Sequence, residues 1–272
     1  MMMFEVPVSP IDLRSCFLSI LAMTMLSAGG AAEPARSHDV PVEGAAYYLS
    51  EVKLELIWVD AGSFLMGSSA TEADRDEAEG PQTQVTLSHG FWLGETAQYE
   101  ALIGENPSAF KEAGPNAPVE HVSWILAMDY CELLTDREMA AGRLPEGYEY
   151  TLPTEAEWEY VYRAGTTGDY VGSLAAMGWI ESNSDGITHP VAQKQQHPWG
   201  FYGLTGNVLE WCYDWYSRYP GGKVTDPTGP RIARGACWRM DGAVARSAAR
   251  AGGSAARVDY TLGFRIALHR ER

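Results

Sequence analysis

Apolar and polar residues alternate in several short stretches of the chain, and this alternation predicts strands. From residue 52 to residue 59 the apolar residues follow a period of two, which is typical of a strand with one buried face. A turn at 60–63 leads into the apolar residues 64–66, so we expect these two strands to form a hairpin. Further strands are predicted over Thr83–Leu87, over 148–152 and at the alternating residues Phe264, Ile266 and Leu268.

Two helices are predicted from apolar residues spaced three and four positions apart. The first starts after Ser123, a residue type that caps helix N-termini, and ends before Gly142. The second follows Thr154 and Glu157, which have the spacing of a capping box. Because the chain combines few helices with many short strands and no internal repeat, we expect one α+β domain.

Glu, Asp and Ala dominate the segment 68–81, where no apolar period is visible. This composition predicts a solvated acidic loop. The formal net charge of the 272 residues is −16, which disfavours binding to nucleic acid or to anionic lipid. The last part of the chain differs, since residues 231–272 contain nine arginines and three acidic residues. We therefore expect a positively charged surface there.

The amino terminus has the order of segments found in secretory signals. An apolar run at 17–26 precedes small residues at 27–32, so we expect a signal peptide over 1–32 and a flexible leader over 33–50. The run is too short to span a membrane. The protein is thus expected to be periplasmic or secreted, although a misassigned start or a disordered tail would leave the same pattern.

Beyond this leader the chain contains three cysteines, which are too few for a disulfide scaffold and show no CxxC spacing. At most one internal disulfide could form. We expect Cys131 and Cys212 to be buried thiols, because free cysteine is among the most buried residue types.

Six segments carry a family resemblance over most of the chain. They are 61–67 (AGSFLMG), 118–124 (PVEHVSW), 152–160 (LPTEAEWEY), 206–211 (GNVLEW), 234–238 (RGACW) and 263–265 (GFR). Their order resembles that of the formylglycine-generating enzyme family, the sulfatase-modifying factor domain. The resemblance implies an irregular single α+β domain over 51–270, a variant of the C-type-lectin fold.

The same resemblance implies calcium, because relatives use the stretch around Gly206 as a calcium site. Asn207 and Glu210 supply the hard oxygen ligands that calcium favours. Asn183 and Asp185 could hold a second ion, but the sequence around them is also ordinary turn chemistry. A structural calcium ion and a hydrogen-bonded turn both stay open for these residues.

The family's oxidase activity uses a pair of cysteine thiolates that bind copper, shortly after the segment matched by 234–238. The corresponding stretch 238–245 has no cysteine, and none follows it. Cys237 stands in the place of the motif's serine, so we expect no copper site in this chain. Formylglycine generation is therefore not the expected activity.

A second resemblance, to the variable receptors of diversity-generating retroelements, indicates ligand binding. Framework residues such as Trp238, Arg246, Arg250 and 263–265 are kept, while the positions between them differ from the usual asparagines. The predicted ligand-binding surface consists of Arg239, Asp241, Val244, Arg257, Asp259 and Tyr260.

An extracellular protein or glycan is the expected ligand of this surface, and the arginine surplus favours an acidic one. Two alternatives stay open. One is a surface loop that has drifted without function. The other is a sulfatase-modifying-factor-type oxidoreductase of unknown substrate.

Overall fold

The structure is a computed structural model that describes residues 40–50, 52–94, 99–217 and 229–270. The described residues belong to one compact unit, Arg36–Arg272. The strands are β1 (Tyr47–Leu49), β2 (Leu54–Val59), β3 (Gly62–Met66), β4 (Thr83–Leu87), β5 (Phe91–Gly94), β6 (Tyr148–Thr151), β7 (Leu209–Trp215), β8 (Arg231–Arg234), β9 (Ala251–Gly253), β10 (Leu262–Phe264) and β11 (Ala267–Arg270). The α-helices are α1 (Tyr99–Ile103), α2 (Trp124–Ala140), α3 (Glu155–Arg163) and α4 (Leu174–Met177).

These strands form three sheets. The largest has the order β1-β2-β5-β11-β6 and its pairs are antiparallel. The second has the order β10-β7-β8-β9, in which β10 runs parallel to β7. The third is the antiparallel pair β3-β4. The mixture of short strands and short helices confirms the α+β class.

The hairpin predicted between β2 and β3 is wrong. Leu54 and Leu56 of β2 are buried in the large sheet, where β2 pairs with β1 and β5. Strand β3 pairs instead with the following strand β4, across the segment 67–82. Short-range alternation predicts that a strand exists, but its partner depends on which apolar surfaces it can cover.

The single closing strand predicted from Phe264 to Leu268 is also different in the structure. The chain leaves the second sheet after β10 and enters the first sheet at β11. Arg265 lies at this crossing, fully buried, and its guanidinium pairs with Glu210 of β7. An ion pair thus occupies the point at which one apparent strand becomes two.

Helix boundaries follow the sequence prediction closely. The hydroxyl of Ser123 accepts a hydrogen bond from the amide of Leu126 and caps α2. Thr154 and Glu157 form the complete capping box of α3, with hydrogen bonds of 3.1 Å and 2.7 Å. Local side-chain hydrogen bonds determine the N-termini of both helices, so the sequence was sufficient to predict where each helix starts.

Only part of the amino-terminal region lies within the described residues. The predicted signal peptide over 1–32 lies outside the described residues. Within the predicted leader over 33–50, Tyr47 and Leu49 belong to β1 and are buried in the core. The folded domain therefore starts before residue 51. Among the residues that the structure describes, no helix has the length and apolar character needed to cross a membrane.

The three cysteines of the described residues are free and buried, which confirms the expectation for Cys131 and Cys212. They lie among the core residues of two apolar clusters that fill the space between the sheets and the helices α2 and α3. Trp92, Trp158 and Trp211 are the largest side chains of this core.

Candidate ligand-binding site

Two buried arginines fix the segment between β8 and β10 to the rest of the domain. The guanidinium of Arg246 binds Glu79 through two hydrogen bonds of 2.7 Å and reaches Glu72 at 2.6 Å. Arg250 binds both carboxylate oxygens of Glu155, at 2.6 Å and 2.8 Å. Bidentate pairs of this kind hold both side chains in a defined orientation. They also give the segment a rigid base.

These contacts overturn the prediction of a merely solvated acidic loop at 68–81. Glu79 is buried against Arg246, and the carbonyl oxygen of Asp74 accepts a hydrogen bond from the same guanidinium. The carbonyl oxygen of Ala78 accepts from Arg250. The loop has no apolar period because it is attached through charges and carbonyl groups, which hydrophobic patterning does not detect.

Two further buried arginines complete the base. Arg234 pairs with Glu159, whose other oxygen accepts hydrogen bonds from Arg163 and from the amide of Gly67. Arg265 pairs with Glu210 through two hydrogen bonds of 2.6 Å. We call Arg234, Arg246, Arg250 and Arg265, with their carboxylate partners, the arginine framework.

Three aromatic rings and one guanidinium meet at the surface, and we call this group the aromatic cluster: Phe110, Trp238, Arg239 and Tyr260. Arg239 and Tyr260 are exposed, and the other two side chains are partly exposed. Nη1 of Arg239 donates a 2.9 Å hydrogen bond to the hydroxyl of Tyr260. Its guanidinium lies 5.7 Å from the ring centroid of Tyr260 and 5.9 Å from that of Trp238, within cation–π range. Phe110 contacts the Trp238 ring edge-to-face at 5.3 Å.

Arg257 and Asp259 form an ion pair next to the cluster, with 2.8 Å between Nη2 and Oδ2. Burial alone would raise the pKa of Asp259, but hydrogen bonds from Arg257 and Thr261 outweigh burial and lower it. The carboxylate is therefore ionised at neutral pH. The backbone carbonyl of Asp259 accepts from the amide of His121, which anchors this end of the surface.

Asp241 and Val244 lie on a separate 3₁₀ turn at Gly242–Ala245. Oδ1 of Asp241 accepts a 2.8 Å hydrogen bond from the amide of Ala243, so this carboxylate caps the turn. Val244 is exposed. Of the six predicted surface residues, Arg239, Arg257, Asp259 and Tyr260 thus gather around the aromatic cluster, and the other two continue the surface along the chain.

The positive surface expected from the arginine surplus is much smaller than the composition indicates. The side chains of the framework arginines are buried and paired, and Arg231 is buried between the rings of Trp124 and Trp215, at 3.5 Å and 3.4 Å from their centroids. Arg257 pairs with Asp259, and Arg270 pairs with Glu43. Among the described arginines of this segment that are exposed, Arg239 lacks a carboxylate partner.

The predicted calcium ligands Asn207 and Glu210 already have partners within the protein. Both oxygens of Glu210 accept from Arg265, and Oε2 also accepts a 2.7 Å hydrogen bond from the indole of Trp158. The amide of Asn207 bonds to the backbone N–H and C=O of His189, each at 2.9 Å. These side chains do not fit a calcium ion in this arrangement, and calcium there stays a prediction.

Asn183 and Asp185 do not converge on a common point either. Oδ1 of Asn183 accepts from the amide of Ile180 and its NH₂ donates to the carbonyl of Gly178, so the side chain closes a turn. Asp185 is exposed. Within the described ranges, no group of three or more His, Cys, Asp or Glu residues has an arrangement suited to a metal ion.

Cys237 does not fit a copper site, either alone or with the nearby thioether of Met240. Cys237 is buried, and burial raises the pKa of its thiol to about 11. The free thiol is therefore neutral at physiological pH, and the stretch 238–245 offers no second cysteine to complete the thiolate pair that the family's copper site uses. Met240 packs among apolar core residues.

The family model of the sulfatase-modifying factor enzyme 1-like domain matches residues 50–270. The chain belongs to this family. The fold of the sulfatase-modifying-factor domain is shared by a solved structure, Treponema denticola variable protein 1, with a TM-score of 0.70 and 25% identity. That match covers 82% of this chain and 97% of the variable protein. Both findings confirm the resemblances inferred from the sequence motifs.

Two curated relatives of this sulfatase-modifying-factor domain have different names. The formylglycine-generating enzyme of Streptomyces coelicolor is 32% identical over 180 residues, which cover 56% of this chain and 53% of that enzyme. A protein named chaperone protein LppX, from Paenibacillus barcinonensis, is 28% identical over 235 residues, which cover 68% of this chain and 78% of LppX. The chain spans only about half of the enzyme's length.

Sequence reasoning missed Phe110, which contributes a ring to the aromatic cluster from a loop far from 238–260. Its amide donates a 2.9 Å hydrogen bond to the buried carboxylate of Glu120. A signal was present, because Phe110 is an isolated aromatic residue in a stretch rich in Gly and Pro. Its neighbours in space could not be identified from that signal.

Proposed function

We propose that this sulfatase-modifying-factor domain is an exported ligand-binding protein, and that the aromatic cluster with Arg257 and Asp259 is its binding surface. The observation that carries the proposal is Arg239, an exposed guanidinium held over two aromatic rings without a carboxylate partner in the described part of the chain. Arginine, tyrosine and tryptophan are the residues that contribute most to binding energy at interfaces.

The arginine framework supports this proposal, because it keeps the backbone in place beneath a variable surface. Arg246 and Arg250 lie within the same chain segment as the exposed residues, but their side chains point into buried ion pairs. Replacement of Arg239 or Tyr260 therefore leaves the framework contacts unchanged. A receptor whose surface varies while its fold is retained needs this separation of roles.

The ligand is an extracellular protein or glycan with an acidic group that reaches Arg239. A carboxylate or sulfate over the cluster would accept hydrogen bonds from the guanidinium, while the rings of Trp238 and Tyr260 cover its apolar neighbours. The charge of −16 would weaken the approach of such a ligand elsewhere on the protein.

Binding can be measured by biolayer interferometry with two acidic probes, chondroitin sulfate as a glycan and poly-L-glutamate as a polypeptide. The wild type should bind at least one probe, and Arg239→Ala should lower the affinity by about tenfold or more. Tyr48→Ala is the matched control, since Tyr48 is an exposed tyrosine on β1. Binding of neither probe, or equal binding by Arg239→Ala, would contradict the acidic ligand.

Diversification of the surface has its own test. Sequencing of the gene from closely related isolates should show substitutions at adenines in the codons for residues 239–261, with the codons of Arg246, Arg250 and Arg265 unchanged. A near-copy of this segment beside a reverse-transcriptase gene would support the receptor function. Uniform variation over framework and surface codons would instead favour simple drift.

Export is tested at the amino terminus. Expression with residues 1–32 present, followed by cell fractionation and mass spectrometry, should yield a protein that starts near Glu33 outside the cytoplasm. An uncleaved cytoplasmic product would remove export from the proposal. That outcome would not bear on the proposed binding surface, because binding of the acidic probes is measured separately with purified protein.

An oxidoreductase function is the alternative, because one curated relative is a formylglycine-generating enzyme. The protein should leave a cysteine-containing sulfatase peptide unchanged in the presence of copper and oxygen, as measured by mass spectrometry. Cys237→Ser is the control variant. Formylglycine produced equally by wild type and Cys237→Ser would show that the cysteine reasoning is wrong.

A further inference from the structure

A second candidate site lies in a cleft that shares no lining residue with the aromatic cluster. The cleft has a volume of about 240 Å³. Its lining residues come from β3, from Gln82 just before β4, from the end of α3 and the turn after it, and from the loop at Trp199.

Three aromatic rings form one wall of this cleft. Tyr160 stands in the middle, with its centroid 5.4 Å from that of Phe64 and 5.0 Å from that of Trp199. Gly62 allows this arrangement, because a Cβ atom at position 62 would overlap with the hydroxyl of Tyr160. All three rings are partly exposed, so the wall is accessible to a ligand.

Polar groups without partners surround the wall. Helix α3 ends at Ala164, whose left-handed conformation and that of Gly165 turn the chain so that Thr166 and Thr167 form the rim. In the described part of the chain, no hydrogen bond engages the hydroxyls of Thr166, Thr167 and Tyr160 or the indole N–H of Trp199. Each of these groups can donate a hydrogen bond to a ligand, and the hydroxyls can also accept one.

The described residues that line the cleft present no unpaired charged group to a ligand. Among its described lining residues Arg163 is the charged one, and it is buried. Its Nε donates a 2.8 Å hydrogen bond to Glu159, and its Nη2 donates to the carbonyl of Gly67 at 2.9 Å. A charged ligand would therefore lose its hydration without gaining an ion pair.

We propose that this cleft binds a single neutral hexopyranose ring. A pyranose presents C–H groups on its faces, which pack on the electron-rich faces of aromatic rings, and hydroxyls around its edge. The aromatic wall and the unpaired rim groups match these two features. The volume lies below the roughly 300 Å³ at which pockets for drug-sized ligands begin, as expected for one sugar ring.

Saturation-transfer NMR tests this proposal with D-glucose, D-galactose and N-acetyl-D-glucosamine at millimolar concentration. At least one sugar should receive saturation, with the strongest transfer to the C–H groups of one face. Trp199→Ala should lower the affinity at least tenfold, and Tyr160→Phe, which keeps the ring, should lower it about threefold. Tyr48→Ala should bind as the wild type does.

Thr166→Arg extends a long side chain into the cleft from its exposed rim, so it tests the site even if Trp199→Ala does not fold. This variant should abolish transfer while its melting temperature stays that of the wild type. Absence of transfer to all three sugars, or transfer that survives in Thr166→Arg, would overturn the proposal.

Discussion

The four arginines of the arginine framework and Arg239 of the aromatic cluster lie in the same forty-residue stretch, yet the structure uses them in opposite ways. Arg265 is fully buried, and both of its hydrogen-bonding edges are occupied by Glu210 and backbone carbonyls. Arg239 is exposed and bonds to the hydroxyl of Tyr260. The first arginine stabilises the packing of the domain from within, whereas the second lies on the surface, where we propose that it binds a ligand.

This difference shows why net charge is a poor guide to the surface of the segment. Burying a guanidinium costs much in desolvation, and a buried guanidinium paired with a carboxylate contributes little to the external field because the two charges offset each other. Four of the eight arginines of 231–270 are of this kind, namely Arg234, Arg246, Arg250 and Arg265. The electrostatic surface therefore depends on the few arginines that the fold leaves exposed.

Glu210→Gln should have the largest effect on the framework. It leaves the guanidinium of Arg265 buried without its counter-charge, so the free energy of unfolding should fall by about 3–5 kcal/mol. Urea titration of purified protein measures this change. Arg257→Met is the matched control, because it breaks an exposed pair with Asp259 and should cost less than about 1 kcal/mol. Equal losses would contradict the division between framework and surface.

Acid should lower the free energy of unfolding through the buried side chain of His197. Burial lowers the pKa of His197 to about 4, while in the unfolded chain it lies near 6.5. Stability from the neutral imidazole is therefore complete above about pH 6.5 and decreases as the pH falls toward 4, by up to about 3 kcal/mol.

Urea titrations between pH 7 and pH 4 measure this dependence, with His197→Gln as the comparison. The glutamine can still donate to the carbonyl of Tyr162, which accepts from His197 in the wild type. Its stability should depend less on pH over this window. A parallel pH dependence of the two proteins would show that His197 does not titrate as described.

Tyr260→Ala and Arg239→Ala should have small effects on stability, in contrast to the framework. Both side chains are exposed, so we expect changes within about 0.5 kcal/mol. Phe264→Ala provides the comparison at a neighbouring buried position, where loss of the ring should cost about 3–5 kcal/mol. Thermal melts measure all three. A large loss for Tyr260→Ala would assign the cluster to the core.

Removal of calcium should have the smallest effect. Because the side chains of Asn207 and Glu210 are engaged within the protein, a chelator should leave the melting temperature unchanged. Magnesium chloride at equal concentration controls for ionic strength. A calcium-specific rise in melting temperature that the chelator reverses would establish the ion predicted from the sequence, since binding to the native state alone stabilises it.

Several features of the fold could be predicted from the sequence alone, because their causes lie within a few residues. The capping box at Thr154 and Glu157, the cap at Ser123 and the strand Thr83–Leu87 depend on local hydrogen bonds and on local periodicity. The six motif segments were likewise sufficient to identify the family.

Only the tertiary structure decided which distant groups meet. The pairing of Arg246 with Glu79 joins residues 167 positions apart, and Phe110 reaches the aromatic cluster from another loop. An ion pair or a ring contact leaves no periodic trace in a sequence, because each partner can occur in any local pattern. The sequence therefore determined the elements and the family, while the packing of those elements decided which arginines are buried and which one can meet a ligand.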